Sequence, residues 1–129
     1  MLQDYKDFAE YIAKNYSNAK KIVEVGVGRE FSVLRELRKK LNAQIIATDV
    51  VESEGIIKDD VAEPDISIYK DAELIYSIRP PPELHPHLEN IARKVGADLI
   101  VRSLSSDFVK TRGKIVNYKK TRFYLYKFR

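Results

Sequence analysis

Two glycines follow an acidic residue and a short apolar run near the start of the chain, within Lys20–Glu30 (KKIVEVGVGRE). Glu24 lies two positions before Gly26, and Gly28 comes two positions after it. Glycines at a turn let the backbone approach a ligand closely, and the start of the following helix offers unpaired N–H groups to anionic or polar ligand atoms. The spacing therefore predicts a site for a nucleotide-type cofactor.

Two classes of cofactor use a glycine-rich turn after the first strand and an acid after the second. A dinucleotide site is expected to show Gly-x-Gly-x-x-Gly or Ala, but Phe31 occupies the place of the third small residue. Asp49 follows Gly28 at a distance that lets its carboxylate take two ribose hydroxyls in either class. A P-loop is absent from the sequence, because no Gly-Lys-Ser/Thr follows the glycines.

The elements that must position these residues alternate between helix and strand. Helical spacing of apolar residues predicts helices over Asp4–Tyr16 (with Asp4 as the N-cap), Phe31–Leu41 and 83–95, with one or two helical turns in Pro64–Lys70. Apolar runs predict strands over Ile22–Val27, Gln44–Val51, Gly55–Val61, Ala72–Ile78 and Ala97–Leu104, and a C-terminal antiparallel hairpin of Lys114–Tyr118 and Arg122–Phe128.

This alternation predicts an α/β fold of three layers, Rossmann-like, with a mostly parallel sheet and helices on both faces. Ligands of such sheets bind outside the carboxyl ends of the strands. The two glycines, Asp49, the pair Asp59-Asp60 and the run Arg79–Pro82 all fall at predicted strand ends. Their shared edge is the predicted binding site.

Composition narrows the class of protein. The chain has 129 residues, which suits a single domain over 1–129, and it is 44% hydrophobic and 33% charged, as folded proteins are. Cysteine is absent, which excludes disulfides, thiolate metal sites and a cysteine nucleophile. No apolar run is long enough to span a bilayer, and Asp4 and Asp7 argue against a signal peptide. We expect a cytoplasmic protein without membrane partners.

The charge is distributed unevenly along the chain. Residues 110–129 hold eight basic side chains and no acidic one, and aromatic residues lie between them. Such a basic aromatic hairpin can bind RNA, but a charged edge strand that resists aggregation has the same composition, and we favour the second interpretation. The aromatic residues also suggest packing in the core or at a homodimer interface, and a homodimer is expected.

The motifs resemble those of class I S-adenosylmethionine-dependent methyltransferases over nearly the whole chain. The run Glu24–Gly28 is similar to the first motif of that family, and Asp49 resembles the acid that binds the ribose hydroxyls. By the same resemblance, Asp60 would take the adenine amino group, or Asp59 with a shift of one residue, and the backbone N–H of Val61 would meet the ring. The run Ser77–Pro82 lies where the fourth motif borders the methyl group, and the hairpin fits the sixth and seventh strands.

A narrower resemblance concerns the run 71–84 (DAELIYSIRPPPEL), which is similar to uncharacterised protein family 0146. This is a group of short archaeal proteins with methyltransferase-like folds. The segments Val95–Ile100 and Val116–Tyr118 strengthen the match. The resemblance implies the fold and the cofactor, but no assigned activity.

Two residues depart from the methyltransferase pattern. Glu30 replaces the third glycine of the first motif, which would narrow the cofactor pocket or place a second carboxylate beside it. Arg79 stands where enzymes that methylate amino groups often have Asp or Asn before Pro-Pro, and it suits an anionic or carboxylate-bearing substrate.

The candidates for catalytic residues are Arg79, Pro80, Glu83 and His85, around the start of the predicted helix 83–95. No metal site is expected, because His85 and His87 would diverge on a helix and no third ligand has suitable spacing. These histidines are expected in a solvated first turn, and the alternative is that one of them acts as a base near the pocket.

The sequence thus predicts a protein that binds S-adenosylmethionine and transfers its methyl group to an unknown acceptor. Sparse catalytic machinery is compatible with this reaction, because the sulfonium already activates the methyl group and positioning supplies most of the acceleration. The alternative is a non-catalytic module that binds the cofactor or a nucleotide, associated with RNA through its basic hairpin.

Overall fold

The structure is a computed structural model that describes residues 1–103 and 112–129. The helices are α1 (Gln3–Asn15), α2 (Ser32–Lys40), α3 (Ile66–Tyr69) and α4 (His85–Val95), and a 3₁₀ turn, Pro82–Leu84, precedes α4. The strands are β1 (Lys21–Val25), β2 (Gln44–Asp49), β3 (Ile57–Lys58), β4 (Leu74–Ile78), β5 (Asp98–Arg102), β6 (Lys114–Tyr118) and β7 (Thr121–Tyr126).

All seven strands form one sheet in the order β3-β2-β1-β4-β5-β7-β6. The first five pair in parallel, and β7 pairs antiparallel with both β5 and β6. Val25 is in register with Thr48 of β2 and Ser77 of β4, so the carboxyl ends of the three central strands reach the same edge. The predicted mostly parallel sheet with a C-terminal antiparallel hairpin is confirmed.

The sheet carries a hydrophobic core on each face, because successive strand residues point to opposite sides. Helices α1 and α2 cover one face, and α3 and α4 cover the other. The first core includes Phe8, Ile12, Ile22, Leu34, Leu37 and Tyr76. The second includes Val23, Val25, Ile75, Leu88, Ile91 and Leu99.

The start of α1 differs from the prediction, and the assignment of Asp4 as the N-cap is wrong. Leu2 is the N-cap and makes no side-chain cap hydrogen bond, while Asp4 lies in the first turn of the helix. Its carboxylate accepts a hydrogen bond from Arg102 Nε at 3.0 Å and another from Arg102 Nη2. A two-point contact with a guanidinium is stronger than a bond to a neutral backbone amide, which explains why this carboxylate does not cap.

Several predicted boundaries shift. The third strand, predicted over Gly55–Val61, is only Ile57–Lys58, because Gly55 lies in a turn with φ of 76° and the chain leaves the sheet after Lys58. The predicted helix 83–95 starts with the 3₁₀ turn, and its predicted end at Val95 is confirmed, with Gly96 following at a φ of 72°. Strand β5 ends at Arg102, and Leu104, the predicted end, lies outside the described residues.

The basic hairpin packs against α1 through its aromatic side chains. Phe123 is buried and makes edge-to-face contacts with Phe8 and Tyr11, and Tyr118 donates a hydrogen bond to Glu10 at 2.9 Å. These aromatic residues therefore serve the chain's own core, and the predictions of a homodimer and of RNA binding remain predictions. Lys110 lies outside the described residues. No helix within 1–103 and 112–129 is long and apolar enough to cross a membrane.

A fully buried carboxylate fastens the end of the chain to the sheet. Asp98 accepts hydrogen bonds from the Tyr16 hydroxyl at 2.9 Å and from Lys127 Nζ at 2.8 Å. It also accepts from the backbone amides of Phe128 and Arg129, both at 3.2 Å. One side chain at the amino end of β5 thereby joins α1, the sheet and the last residues.

Replacement of this carboxylate should destabilise the fold. We expect Asp98→Ala to lower the free energy of unfolding by about 2–4 kcal/mol, because it leaves buried donors without an acceptor. Urea denaturation followed by circular dichroism measures the change. Glu36→Ala is the control, since it removes only an i,i+4 pair with Lys40 on the surface and should change stability by less than about 0.5 kcal/mol. Equal effects of the two substitutions would contradict the role of Asp98.

Candidate cofactor-binding site

The chain leaves β1 through a turn that needs glycine at two positions. Gly26 has φ of 71° and Gly28 has φ of 56°, both in the left-handed region that other residues rarely adopt. The amides of Gly26 and Val27 donate to the carbonyl oxygen of Thr48, at 2.9 Å and 3.2 Å. The turn is therefore held against the end of β2, beside Asp49.

Asp49 ends β2 with its carboxylate facing the glycine turn. Its Oδ1 accepts from the amide of Gly28 at 3.3 Å, and its Oδ2 accepts from the amide of Val51 at 3.2 Å. Each carboxylate oxygen can accept two hydrogen bonds. Both oxygens therefore keep acceptor capacity for a ligand, and the residue is half-buried rather than hidden.

The two acids after β3 have different environments. Asp59 accepts from the Tyr69 hydroxyl at 2.6 Å and from the amide of Asp65 at 2.9 Å, so both of its oxygens serve the local fold. Asp60 accepts from the amide of Ala62 at 2.9 Å through Oδ1 and is exposed. Of the two, Asp60 is the carboxylate with an oxygen more readily available to a ligand.

Two hydrogen bonds hold the end of β4, where the backbone of Arg79 is strained. Arg79 has φ of 55°, a value seldom found outside glycine, and its amide donates to the carbonyl oxygen of Arg102 at 2.7 Å. The Ser77 hydroxyl donates to the carbonyl oxygen of Val25 at 2.7 Å, which ties β4 to β1 at the same edge. Pro80 follows and is buried.

These strand ends enclose a cavity of about 270 Å³. Its lining includes Gly26, Asp49, Asp60 and Val61 together with Arg79. The lining also includes an apolar wall, which comes from Ile78, Pro80, Pro81, Leu84 and Leu88. The structure thus brings four of the six predicted cofactor-binding residues to one cavity, and Gly28 adjoins it through its hydrogen bond to Asp49.

Glu24, the sixth predicted residue, is placed elsewhere. It is buried on the face covered by α1 and α2, and it accepts a hydrogen bond from the Tyr76 hydroxyl at 2.6 Å. Burial raises the pKa of this carboxyl to about 8, and the hydrogen bond from Tyr76 opposes the shift only in part. Glu24 is therefore a neutral acid beneath the glycine turn at neutral pH, outside the lining of the cavity.

Glu30, the first departure from the methyltransferase motif, caps a helix. Glu30 lies one residue before the N-cap, Phe31, and its carboxylate accepts from the amide of Ser32 at 2.9 Å and from the Ser32 hydroxyl, which satisfies an N–H group in the first turn of α2. These hydrogen bonds lower the pKa of Glu30, and the Arg79 guanidinium lowers it further. Glu30 is not among the residues that line the cavity.

The four candidates for catalytic residues divide into two pairs. Arg79 and Pro80 line the cavity, whereas Glu83 and His85 do not. The expected solvated first turn is wrong for His85, which begins α4 and is only 4% exposed. His87 faces a second cavity of about 150 Å³ between α3 and α4. Among the described residues, no group of three or more acids or histidines is arranged to hold a metal ion.

Sequence reasoning did not assign the apolar wall to the site. Leu84 and Leu88 lie four positions apart within the helix predicted over 83–95, which places them on one helical face. The proline run forces the chain away from β4 before α4 begins, which brings this face against the cavity. A bend after proline is visible in a sequence, but its direction is not.

Comparison with known proteins supports the assignment of the fold. A sequence model of the Uncharacterised protein family (UPF0146) matches residues 5–128. A UPF0146 protein from Archaeoglobus fulgidus is 48% identical over 122 residues, which cover 91% of this chain and 90% of the relative. Further relatives with the same family name come from other archaea.

Solved structures of methyltransferases share the architecture at low sequence identity. An S-adenosyl-L-methionine methyl transferase from Silicibacter pomeroyi DSS-3 superposes with a TM-score of 0.64 at 12% identity, covering 97% of this chain and 91% of that one. The N-terminal domain of EvdMO1, solved with S-adenosylhomocysteine bound, has a TM-score of 0.58 at 15% identity, covering 90% of this chain and 58% of that one. These similarities establish a methyltransferase-like fold.

The buried state of Glu24 predicts a pH dependence of stability. Its pKa is about 8 in the folded chain and near 4.5 when exposed, so the folded state binds the proton more tightly and unfolding releases it in this interval. Stability from this group is complete below about pH 4.5 and is lost as the pH rises through about 8. Glu24→Gln should abolish this pH dependence of the unfolding free energy, which amounts to about 1.4 kcal/mol per pH unit in the interval.

Urea denaturation of the wild-type protein and of Glu24→Gln is carried out at a series of pH values between about 5 and 8. The slope of the unfolding free energy against pH is then compared between the two proteins. Glu54→Gln, at an exposed acid, is the control and should keep the slope of the wild-type protein. If Glu24→Gln retains the wild-type slope as well, Glu24 is ionised in the folded chain and the prediction is wrong.

Proposed function

Because the chain belongs to the uncharacterised protein family UPF0146 and has a methyltransferase-like fold, we propose that it binds S-adenosylmethionine and transfers the methyl group to a small-molecule acceptor. The observation that carries the proposal is the cavity at the carboxyl ends of β1, β2 and β4, where Gly26, Asp49 and Asp60 meet. A nucleoside is the ligand that this set of groups suits best.

The free acceptor capacity of Asp49 suits the ribose. Two vicinal hydroxyls need two acceptors a short distance apart, and each oxygen of this carboxylate has one position left beyond its bonds to Gly28 and Val51. Those two backbone bonds also fix the orientation of the carboxylate. A charged acceptor held in place in this way contributes both affinity and position.

The glycine turn suits close approach of the ligand. A Cβ atom on Gly28 would have no neighbour within 4 Å, so the space beside Asp49 is open on this side. The exposed acid Asp60 suits the amino group of adenine, and Val61, next in the chain, lies at the same wall. Glu24 would act indirectly, since its buried contact with Tyr76 supports the strand from which the turn departs.

Methyl transfer requires few catalytic groups from the protein. Bound S-adenosylmethionine supplies an activated methyl group, so the chain's own task is to exclude water and hold the acceptor in line with it. The apolar wall of Pro80, Leu84 and Leu88 serves the first purpose. The rigid end of β4, where Arg79 is fixed, serves the second.

Titration calorimetry tests the proposal. We expect heat of binding with S-adenosylmethionine and S-adenosylhomocysteine at concentrations up to about 1 mM, and none with NAD. Asp49→Ala should weaken binding of S-adenosylhomocysteine by more than about tenfold, because a hydrogen bond to a charged group is worth about 1.5–3 kcal/mol. The variant should unfold at the wild-type temperature, since its lost backbone bonds are exposed to water.

Glu52→Gln is the matched control. It removes one negative charge three residues from Asp49, at an exposed side chain outside the cavity lining, and should leave the affinity unchanged. Absence of heat with both sulfur compounds would refute the proposed cofactor. Equal affinity of the wild-type protein and Asp49→Ala would refute the assignment of the ribose contact.

A further inference from the structure

We infer that the methyl acceptor is an apolar small molecule bearing a carboxylate or phosphate group, which the guanidinium of Arg79 binds at the rim of the cavity. This inference rests on the proposed function, because it names the substrate class of the same site. It depends on the backbone of Arg79, on the charges around the cavity and on the apolar wall.

The backbone of Arg79 is held in an unfavourable conformation. The φ of Arg79 is 55°, and such a left-handed value at a residue other than glycine persists only when the surroundings enforce it. Here the amide of Arg79 is bound to the carbonyl of Arg102, whose own guanidinium is held by Asp4. Pro80 then restricts the next φ. The side chain therefore starts from a fixed point at the cavity.

Among the described residues that line the cavity, Arg79 is the one cation. The other ionisable residues that line the cavity are Asp49, Asp59 and Asp60, all acids. Within residues 1–103 and 112–129, no carboxylate lies within ion-pair distance of the Arg79 guanidinium. An exposed arginine on a fixed backbone, without an ion pair to a described carboxylate, is well suited to pair with a planar anion.

The carboxylate of Glu30 does not form an ion pair with the Arg79 guanidinium. Arg79 influences it electrostatically, but two hydrogen bonds from Ser32 hold the carboxylate at the start of α2. Such a carboxylate near the rim would repel an anion that binds anywhere except beside Arg79. The pair of opposite charges therefore favours one orientation of an anionic acceptor.

The body of the acceptor is defined by the wall next to Arg79. Pro80, Pro81 and Leu84 continue directly from it along the chain, and Leu88 adds a further apolar side chain one helical turn later. An aromatic or aliphatic group can cover this wall while its anionic substituent reaches the guanidinium. A purely polar anion would leave the wall exposed to water.

The proposed cofactor also carries a carboxylate. The test must therefore distinguish an Arg79 that binds the acceptor from an Arg79 that binds the cofactor. Benzoate and phenyl phosphate serve as probes of the acceptor site, and benzamide is the neutral analogue of the same shape. Each is titrated into protein saturated with S-adenosylhomocysteine, with binding followed by the NMR signal of the Arg79 Nε–H group and by backbone amides around the cavity. The affinities for S-adenosylhomocysteine and for 5′-methylthioadenosine, which lacks the carboxylate, are measured in parallel.

We expect benzoate or phenyl phosphate to bind the wild-type protein more tightly than benzamide. Arg79→Gln should weaken the better of the two anions by about tenfold or more and leave benzamide unchanged. Arg79→Lys should give an intermediate loss, since it keeps the charge but not the planar pair of donors. Arg122→Gln, which removes an exposed arginine of β7 outside the cavity lining, should behave as the wild-type protein.

Three results would overturn the inference. The first is equal affinity of Arg79→Gln and the wild-type protein for both anions, and the second is no preference of the wild-type protein for either anion over benzamide. The third is a loss in Arg79→Gln of affinity for S-adenosylhomocysteine but not for 5′-methylthioadenosine, which would assign Arg79 to the cofactor. If the wild-type protein binds neither nucleoside but binds benzoate through Arg79, the proposed cofactor is refuted while the anion site stands.

Discussion

The carbonyl oxygen of Thr48 accepts hydrogen bonds from the amides of two successive residues, Gly26 and Val27, and this contact organises the candidate site. A carbonyl has two lone pairs, so one atom at the end of β2 can hold an entire turn at the end of β1. Gly26 has a φ of 71°, which glycine adopts at lower cost than other residues, and this angle presents both amides in this way. The positions of Asp49 and of the cavity opening follow from this arrangement.

Buried carboxyl groups are used in two distinct ways in this fold. Asp98 lies at the amino end of β5 among four donors, and a carboxylate with so many partners is stabilised despite its burial. Glu24 has a single described hydrogen-bond partner, Tyr76, and burial keeps it protonated instead. The first arrangement fastens the chain far from the cavity. The second supports the strand that leads into it without placing a negative charge beneath the glycine turn.

The sequence allowed the sheet and the edge of the site to be predicted, because both depend on local patterns. Alternating apolar runs and helical periods located every strand of the sheet, and the glycines and Asp49 fell at strand ends. The side-chain partners could not be predicted in the same way. The roles of Asp4 and Glu24 depend on Arg102 and Tyr76, which are 98 and 52 residues away along the chain. Contacts across such separations follow from packing, and one sequence alone does not record them.

The link from Asp4 through Arg102 to Arg79 joins the first helix to the rim of the cavity. Proteins open locally in cooperative units, and residues joined by such bonds tend to open together. Detachment of α1 would take the Asp4 carboxylate away from the guanidinium of Arg102, which, among its described hydrogen bonds, would keep only the one to the carbonyl of Ser103. The carbonyl oxygen that holds the Arg79 amide belongs to the same residue, Arg102. The hydrogen-exchange rate of the Arg79 amide should therefore rise when the amino-terminal helix opens.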